Sequence, residues 1–482
     1  MKYLLLILTA FTSLHVLGQV KVSQGGNSPQ FSPSKQPGFN SFSTDEADYF
    51  VVKRYENFER INTLIVSDKT GNIISSKEAR VNMGLVNNTF DVKDLLVVGK
   101  TPMLFVENHN KADGKNTLSV RHIDKAGNVS ASGPNIASID FLKMSNAGEW
   151  YVSLTPDKKH VALIGKVAAE KNVPEVFKFF ILDEQLKEIN KGQFSFAGNP
   201  KPISISNFLA SDKGDLYIVS EEFDKSYKFP MLYKYSADGQ TSIIPVMVAD
   251  PGLKNLSYTL RVNPAGNLII AGYLQKKSSF SMGDVKSAGT WLFNSEKPSE
   301  VKTFNFEQAI TNLTARNILF NGDTFYLVGE QYKSEKQPNT ATGMARLNAP
   351  DVFDYFHEDI MVTGYGTDGI KKFEMPVSRR WKTTATDPQF MIASGIINGK
   401  LALVYNDLHG KYVDDRRNKD LLLPVALLIT NDGLMEAPVH FAKELDVKLS
   451  SYVLSPQFFS AAQDKLIVLS LNSQAVKTIT FQ

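Results

Sequence analysis

The sequence predicts an all-β protein, a β-propeller of seven four-stranded blades whose last blade is closed by strands from the N- and C-terminal parts of the chain. Three observations predict it. A turn-bearing hairpin recurs seven times, a short strand apolar on consecutive residues recurs seven times, and the two series alternate.

The hairpin copies are LIVSDKTGN (64–72), VRHIDKAGN (120–128), FILDEQLKE (180–188), YKYSADGQT (233–241), LFNSEKPSE (292–300), GYGTDGIKK (364–372) and LITNDGLME (428–436). Each joins an apolar or aromatic run to a more polar one. Asp-Gly and Lys-x-Gly-Asn sequences supply the positive φ that a tight β-hairpin requires.

The second series is MLFVE (103–107), VALIG (161–165), LYIVS (216–220), LIIAG (268–272), FYLVG (325–329), LALVY (401–405) and LIVLS (466–470). Strands apolar on consecutive residues are buried on both faces. Gly or Ser at the fifth position, as at Gly165, Ser220, Gly272, Gly329 and Ser470, lets a neighbouring layer approach closely.

Each repeat of roughly 50 to 75 residues therefore holds two hairpins. A lone four-stranded sheet leaves an apolar face bare and must stack on copies of itself, and radial stacking gives a propeller. The chain enters on a hairpin of the first kind and leaves on a strand of the second. One blade is therefore split, with residues 452–471 as its inner half and residues 61–80 as its outer half. DYFVVKRY (48–55) and VKTITF (476–481) read as further strand.

The N-terminus, MKYLLLILTAFTSLHVLGQ, reads as a cleaved secretion signal over residues 1–18. Lys2 forms the charged region, residues 4–11 the apolar one, and Val16 and Gly18 flank the cut before Gln19. A membrane anchor needs roughly 20 apolar residues, and this stretch is shorter, broken by Thr12, Ser13 and His15. Residues 19–48, rich in Ser, Gly, Pro and Gln, read as a flexible lead-in, and residues 49–482 as a single propeller domain. No other segment is long and apolar enough to span a bilayer, so the expected location is the periplasm, the outer surface or the exterior.

Composition excludes several functions. The formal charge is +3 over 482 residues, too small to suggest nucleic acid. With no cysteine, there is no disulfide, no acylated thiol, no cysteine nucleophile and no thiolate metal site. The chain has no HExxH, no Gly-x-Ser-x-Gly elbow and no phosphate loop. No catalytic residue, cofactor or metal is expected. Asp354, His357 and Glu358 have the i, i+3, i+4 spacing of one helical face. A solvated helical turn explains this spacing better than a metal site does. Trp150 and Trp291 lie on expected strands as packing residues.

The repeat pattern resembles the secreted β-propeller proteins of Bacteroidetes, and a signal ending in LGQ fits that group. The resemblance covers residues 49–482 as architecture. It carries no WD40 Trp-Asp dipeptide and no paired-glycine kelch motif, and it implies no functional residues.

In a four-stranded blade, the loops between strands 2 and 3 share a face with the connections between blades. The two longest 2–3 loops, 330–359 and 406–424, belong to consecutive blades, and the connection 376–390 emerges between them. Candidate binding residues on this face are His357, Glu358, Arg379, Arg380, Trp381, His409, Tyr412 and Arg416. Arginine forks bind carboxylates or phosphates, and aromatic side chains offer flat faces to a sugar or peptide. Equally, the acidic and basic loops can pair with each other and hold the rim together. The expected function is a non-catalytic exported binding or scaffold module for a protein or glycan of the cell envelope. The alternatives are a propeller-platform enzyme acting on glycans or other small substrates, by hydrolysis, as a lyase or as a metal-dependent lactonase, and a purely structural envelope protein.

Overall fold

Side-chain chemistry sets the hairpins first. In the outer turns, Asp124 Oδ1 accepts from the N–H groups of Ala126 and Asn128 at 2.9 and 2.7 Å, and Asp183 Oδ1 from those of Gln185 and Lys187 at 3.0 and 2.8 Å. Gly433 takes a φ of +87° in the turn of the last such hairpin, and Leu186 is held at +62° in a turn that lacks a glycine at this place.

The computed structural model describes residues 20–481 apart from 28–37, 57–58, 70–71, 83–87, 142, 144–146, 168–175, 196–206, 225–226, 277–283, 339–351, 386–391, 415, 418, 441–451, 454–458, 461–464 and 471–474. The secretion signal read over 1–18 lies outside the described residues.

The chain is built from antiparallel sheets. Strand β1 (Val20–Asn27) comes first. Blade 1 is β2 (Gly38–Ser43), β3 (Asp48–Glu56), β4 (Glu59–Ser67) and β5 (Ile73–Asn82). Blade 2 is β6 (Asn88–Val98), β7 (Thr101–Asn110), β8 (Lys115–His122) and β9 (Asn135–Asp140). Blade 3 is β10 (Glu149–Leu154), β11 (Val161–Val167), β12 (Val176–Leu182) and β13 (Glu188–Ser195). Blade 4 is β14 (Asn207–Ala210), β15 (Leu216–Asp224), β16 (Tyr227–Tyr235) and β17 (Thr241–Pro245). Blade 5 is β18 (Leu253–Val262), β19 (Leu268–Lys276), β20 (Lys286–Asn294) and β21 (Val301–Thr311). Blade 6 is β22 (Leu313–Asn321), β23 (Thr324–Lys336), β24 (Phe353–Gly366) and β25 (Lys371–Val377), with β26 (Trp381–Ala385) added to β24. Blade 7 is β27 (Ile392–Ile397), β28 (Lys400–Leu408), β29 (Leu422–Ile429) and β30 (Val439–His440).

These are seven sheets of four consecutive strands each. The termini then form one more: β31 (Tyr452–Val453) and β32 (Phe459–Ser460) pair with β33 (Lys465–Ser470), β33 pairs with β34 (Ala475–Phe481), and β1 completes the edge beside β34. Closure between the two ends of the chain is as expected. The strands that make it differ from the expectation. Val20 lies opposite Phe481 and Lys21 opposite Thr480, whereas residues 61–80 stay in blade 1. β1 and β2 both fall within 19–48, so that stretch contributes two ladder strands and is not merely a lead-in. Innermost strands touch in the order β2, β6, β10, β14, β18, β22, β27, β32, and β1 touches β5, which completes the ring.

The core lies between blades. One cluster joins Tyr326, Val328, Ile360 and Val362 of blade 6 to Leu401, Leu403 and Leu427 of blade 7. The second strands carry most of it. Val161, Ala162, Leu163 and Ile164 are all fully buried. The small fifth residue has the expected role: a Cβ on Gly165 would lie 2.8 Å from Ile139 Cγ2 of the preceding blade, and one on Gly329 1.9 Å from Tyr273 Oη of its own preceding blade. Trp150 and Trp291 are buried packing residues, as expected.

Candidate functional site

The antiparallel order places the ends of β23, β24, β28 and β29 on one face, together with the connection from β25 to β27. The segment expected as a long 330–359 loop is strand at both of its ends. β23 runs on to Lys336, β24 starts at Phe353, and β26 pairs along it with His357 opposite Trp381 and Phe353 opposite Ala385. Asp354, His357 and Glu358 are therefore not on a helical turn. Strand alternation turns Tyr355 and His357 inward, while Asp354 and Glu358 face the rim half-buried.

A register shift between Glu330 and Tyr332 brings both residues against His357. The Glu330 carboxylate is buried and has every side occupied. Oε1 accepts from Arg379 Nη2 and lies 2.8 Å from His357 Nδ1. Oε2 accepts from Arg316 Nε at 2.8 Å and Nη2 at 2.6 Å. Burial alone would raise the Glu330 pKa, but the Arg379 guanidinium, with His357 and Arg316, holds the carboxyl well below the usual range. Burial pushes His357 down, against the pull of Glu330. Among the described residues, His357 Nε2 is buried with no hydrogen-bond partner.

Two of the candidate residues act as fasteners inside the protein. Arg379 is fully buried, donates from Nε to Glu358 O at 3.0 Å, and its guanidinium lies 5.8 Å from the Trp381 ring. Trp381 lies on β26, not in a loop. It stacks on His357 at 4.0 Å and donates Nε1–H to Asn406 O of blade 7 at 2.9 Å. Arg380 points outward with its side chain 83% exposed, 3.3 Å from Glu358. Lys382 and Asp354 pair at 2.8 Å. The acidic and basic segments thus do pair with each other.

A second cluster closes blade 7. Fully buried Asp407 accepts from Tyr412 Oη at 2.9 Å and pairs with Lys411 at 2.9 Å. The short 3-10 turn His409–Lys411 buries His409 beside His440, with ring centroids 5.1 Å apart, and Tyr412 stacks on His440 at 4.8 Å. Burial and then the neighbouring His409 push His440 down to about 4. Burial, with Tyr405 and Asp407 beside it, raises Tyr412. Arg416 is exposed. Among the described residues no group of three His, Asp or Glu is placed to hold a metal ion.

Of the eight candidates, His357, Arg379, Trp381 and His409 are interior, Glu358 and Tyr412 half-buried, and Arg380 and Arg416 exposed. Glu330, Arg316, Asp407 and His440 were not singled out from sequence. Glu330 had a signal: it follows FYLVG directly, and Glu107 in MLFVE ends the equivalent apolar run of blade 2. Glu107 is buried too, with Lys93 at 3.0 Å and Asn116 Nδ2 at 2.7 Å. Burial opposes its ionisation, but His109, Lys93 and Asn116 bring its pKa to about 2.

No family model and no curated protein matches the chain. Similar solved structures include the β-propeller domain of the Trilobed protease from Pyrococcus furiosus, with 10% identity over 84% of this chain and 96% of that one and a TM-score of 0.38. The WD40 domain of SCAP from fission yeast has 8% identity over 96% and 98%, with a TM-score of 0.38. A polysaccharide lyase has 10% identity over 98% and 95%, with a TM-score of 0.33. The chain is a β-propeller, and these likenesses say nothing of what it binds or does. Among the described residues no helix is long and apolar enough to cross a membrane.

Proposed function

We propose that this propeller is a non-catalytic, exported binding or scaffold module. Its working face carries the 330–359, 376–390 and 406–424 segments, and its partner is a protein or glycan of the cell envelope. The observation that supports this is the state of Glu330. A general acid or base must exchange a proton with a substrate, whereas this carboxylate is engaged on both oxygens by two guanidinium groups and an imidazole. The face then offers a partner what stands outside the ion cluster: Arg380, Arg416 and the half-buried Glu358 and Tyr412.

The test uses exposed residues only. Affinity capture from the envelope fraction is run with the wild type and with Arg380→Glu/Arg416→Glu, and each captured component is then purified and titrated against both. The variant keeps the wild-type melting temperature, since surface changes alter stability by about 0.5 kcal/mol or less, and its affinity falls at least tenfold. Equal affinity of the two proteins for every captured component rules this face out. Arg379→Ala is unsuited to the purpose. Removing one partner of a buried ion pair costs about 3–5 kcal/mol, so its loss of binding reports unfolding.

A further inference from the structure

The opposite face of the ring carries the short turns within each blade. Between blades 5 and 6 these turns enclose a cavity of about 320 Å³. Its floor is apolar and comes from both blades. Ile269, Leu292 and Phe325 are buried, Phe320 is half-buried, and the rings of Phe320 and Phe325 lie 5.9 Å apart at 49°. Ile269, Leu292 and Phe325 belong to the core packed between the two blades, and Phe320 packs at its edge. The half-buried Phe320 is therefore the floor's most accessible ring.

The rim is charged and unevenly so. It holds three carboxylates, Glu296, Glu300 and Asp368, against two ammonium groups, Lys297 and Lys302. Lys302 is already committed to the wall. Its Nζ donates to Asp368 O at 2.7 Å and lies 3.8 Å from Glu300. Gly369, at a φ of +75°, lets that wall close up: a Cβ there would meet Leu292 Cδ2 at 3.0 Å and Lys302 Nζ at 3.4 Å. The exposed Glu296 carboxylate accepts from Asn267 Nδ2 at 3.5 Å, its one side-chain partner among the described residues.

We propose that this cavity is a binding site for a small cationic aromatic molecule, a primary amine carried on a flat ring system. The rings lie on the Phe320–Phe325 floor, where apolar area leaves water and offset or edge contacts are favourable. The ammonium group meets the acidic excess at the rim and the ring faces below it. The volume is at the small end of the roughly 300–1,000 Å³ found for ligand pockets, which matches a body of one or two fused rings. This site is on the face opposite Arg380 and Arg416, so it stands or falls separately from the proposed function.

Isothermal titration of the full chain at neutral pH and low salt tests it, with tryptamine as the probe. Indole-3-acetate, which has the same rings and the opposite charge, is the control. Tryptamine is expected to bind saturably at one site and indole-3-acetate at least tenfold more weakly. Ala265→Trp, on an exposed turn lining the cavity, fills the space and abolishes tryptamine binding at an unchanged melting temperature. Glu296→Lys weakens it about fivefold, the upper range for an exposed charge pair. No saturable binding of tryptamine to the folded wild type overturns the proposal. So does equal binding of the two ligands, or tryptamine binding that survives Ala265→Trp.

Discussion

His440 lies against Tyr412 and His409, and among the described residues neither of its ring nitrogens has a hydrogen-bond partner. The titratable groups beside it are His409 and Asp407, with Asp407 already occupied by Tyr412 and Lys411. A neutral imidazole suits that setting, which is why its pKa falls to about 4 from the ordinary 6.5. In the unfolded chain His440 takes up a proton as pH drops through 6.5, and in the folded chain only near 4. Between those values the unfolded state binds more protons, so stability must fall as pH falls. His440→Phe keeps a ring on Tyr412 and removes this titration. Urea unfolding measured from pH 7 to 4 is expected to show a shallower loss of stability in the variant than in the wild type. Parallel curves would mean that His440 is as easily protonated in the fold as outside it. None of this was legible in sequence. His440 comes from β30 and His409 from the turn after β28, thirty-one positions apart, and only the pairing of β29 with β30 brings them together. Glu330 was closer to legible, because a carboxylate that follows so closely on a doubly buried apolar run has to find partners indoors.

At the scale of elements, the two recurring patterns carried most of the information. All seven hairpins sit between the third and fourth strands of blades 1 to 7, and all seven apolar runs are second strands. Local chemistry determines such features. The Asp and Gly of a turn act within four residues, and double-sided burial is written in consecutive apolar side chains. β24 failed for the opposite reason. Polar residues at 354, 357 and 358 fit helical spacing, but cross-strand partners in β23 and β26 decide the conformation. The small residue in the apolar run gives a direct check on close approach. Gly329→Ala would place a methyl group within 1.9 Å of Tyr273 Oη and 2.6 Å of its ring, both in the buried interior. Overpacking of this kind costs about 1–3 kcal/mol. A melting temperature equal to that of the wild type would show that β19 and β23 can part at no cost.

For the whole molecule, the phase of the two series has a simple origin. Hairpins of the first kind belong to blades 1 to 7, whereas apolar runs of the second kind belong to blades 2 to 7 and to the terminal sheet. Blade 1 has DYFVV in place of the run, and the terminal sheet has no outer hairpin because its third and fourth strands, β34 and β1, come from opposite ends of the chain. Equal counts offset by one blade thus look like a single split blade, while among the described residues the sheet of terminal strands stands beside the seven blades. β1 and β2 escaped detection because Gly, Ser and Pro dominate their surroundings, and the partner of β1 lies more than four hundred residues away. The closing strand is therefore the least locally encoded part of the ring, and it can be removed alone. Deleting residues 20–27 leaves β34 without its outer neighbour and β5 without the contact that closes the circle. An uncovered strand edge offers a row of unpaired N–H and C=O groups to other chains. The truncated protein is expected to melt at a lower temperature and to elute as dimers or larger species, and the free peptide VKVSQGGN should restore both properties when added in excess. A truncated chain that stays monomeric with the wild-type melting temperature would show that the ring is held shut by the contacts among its inner strands, and that β1 only lies along an already closed edge.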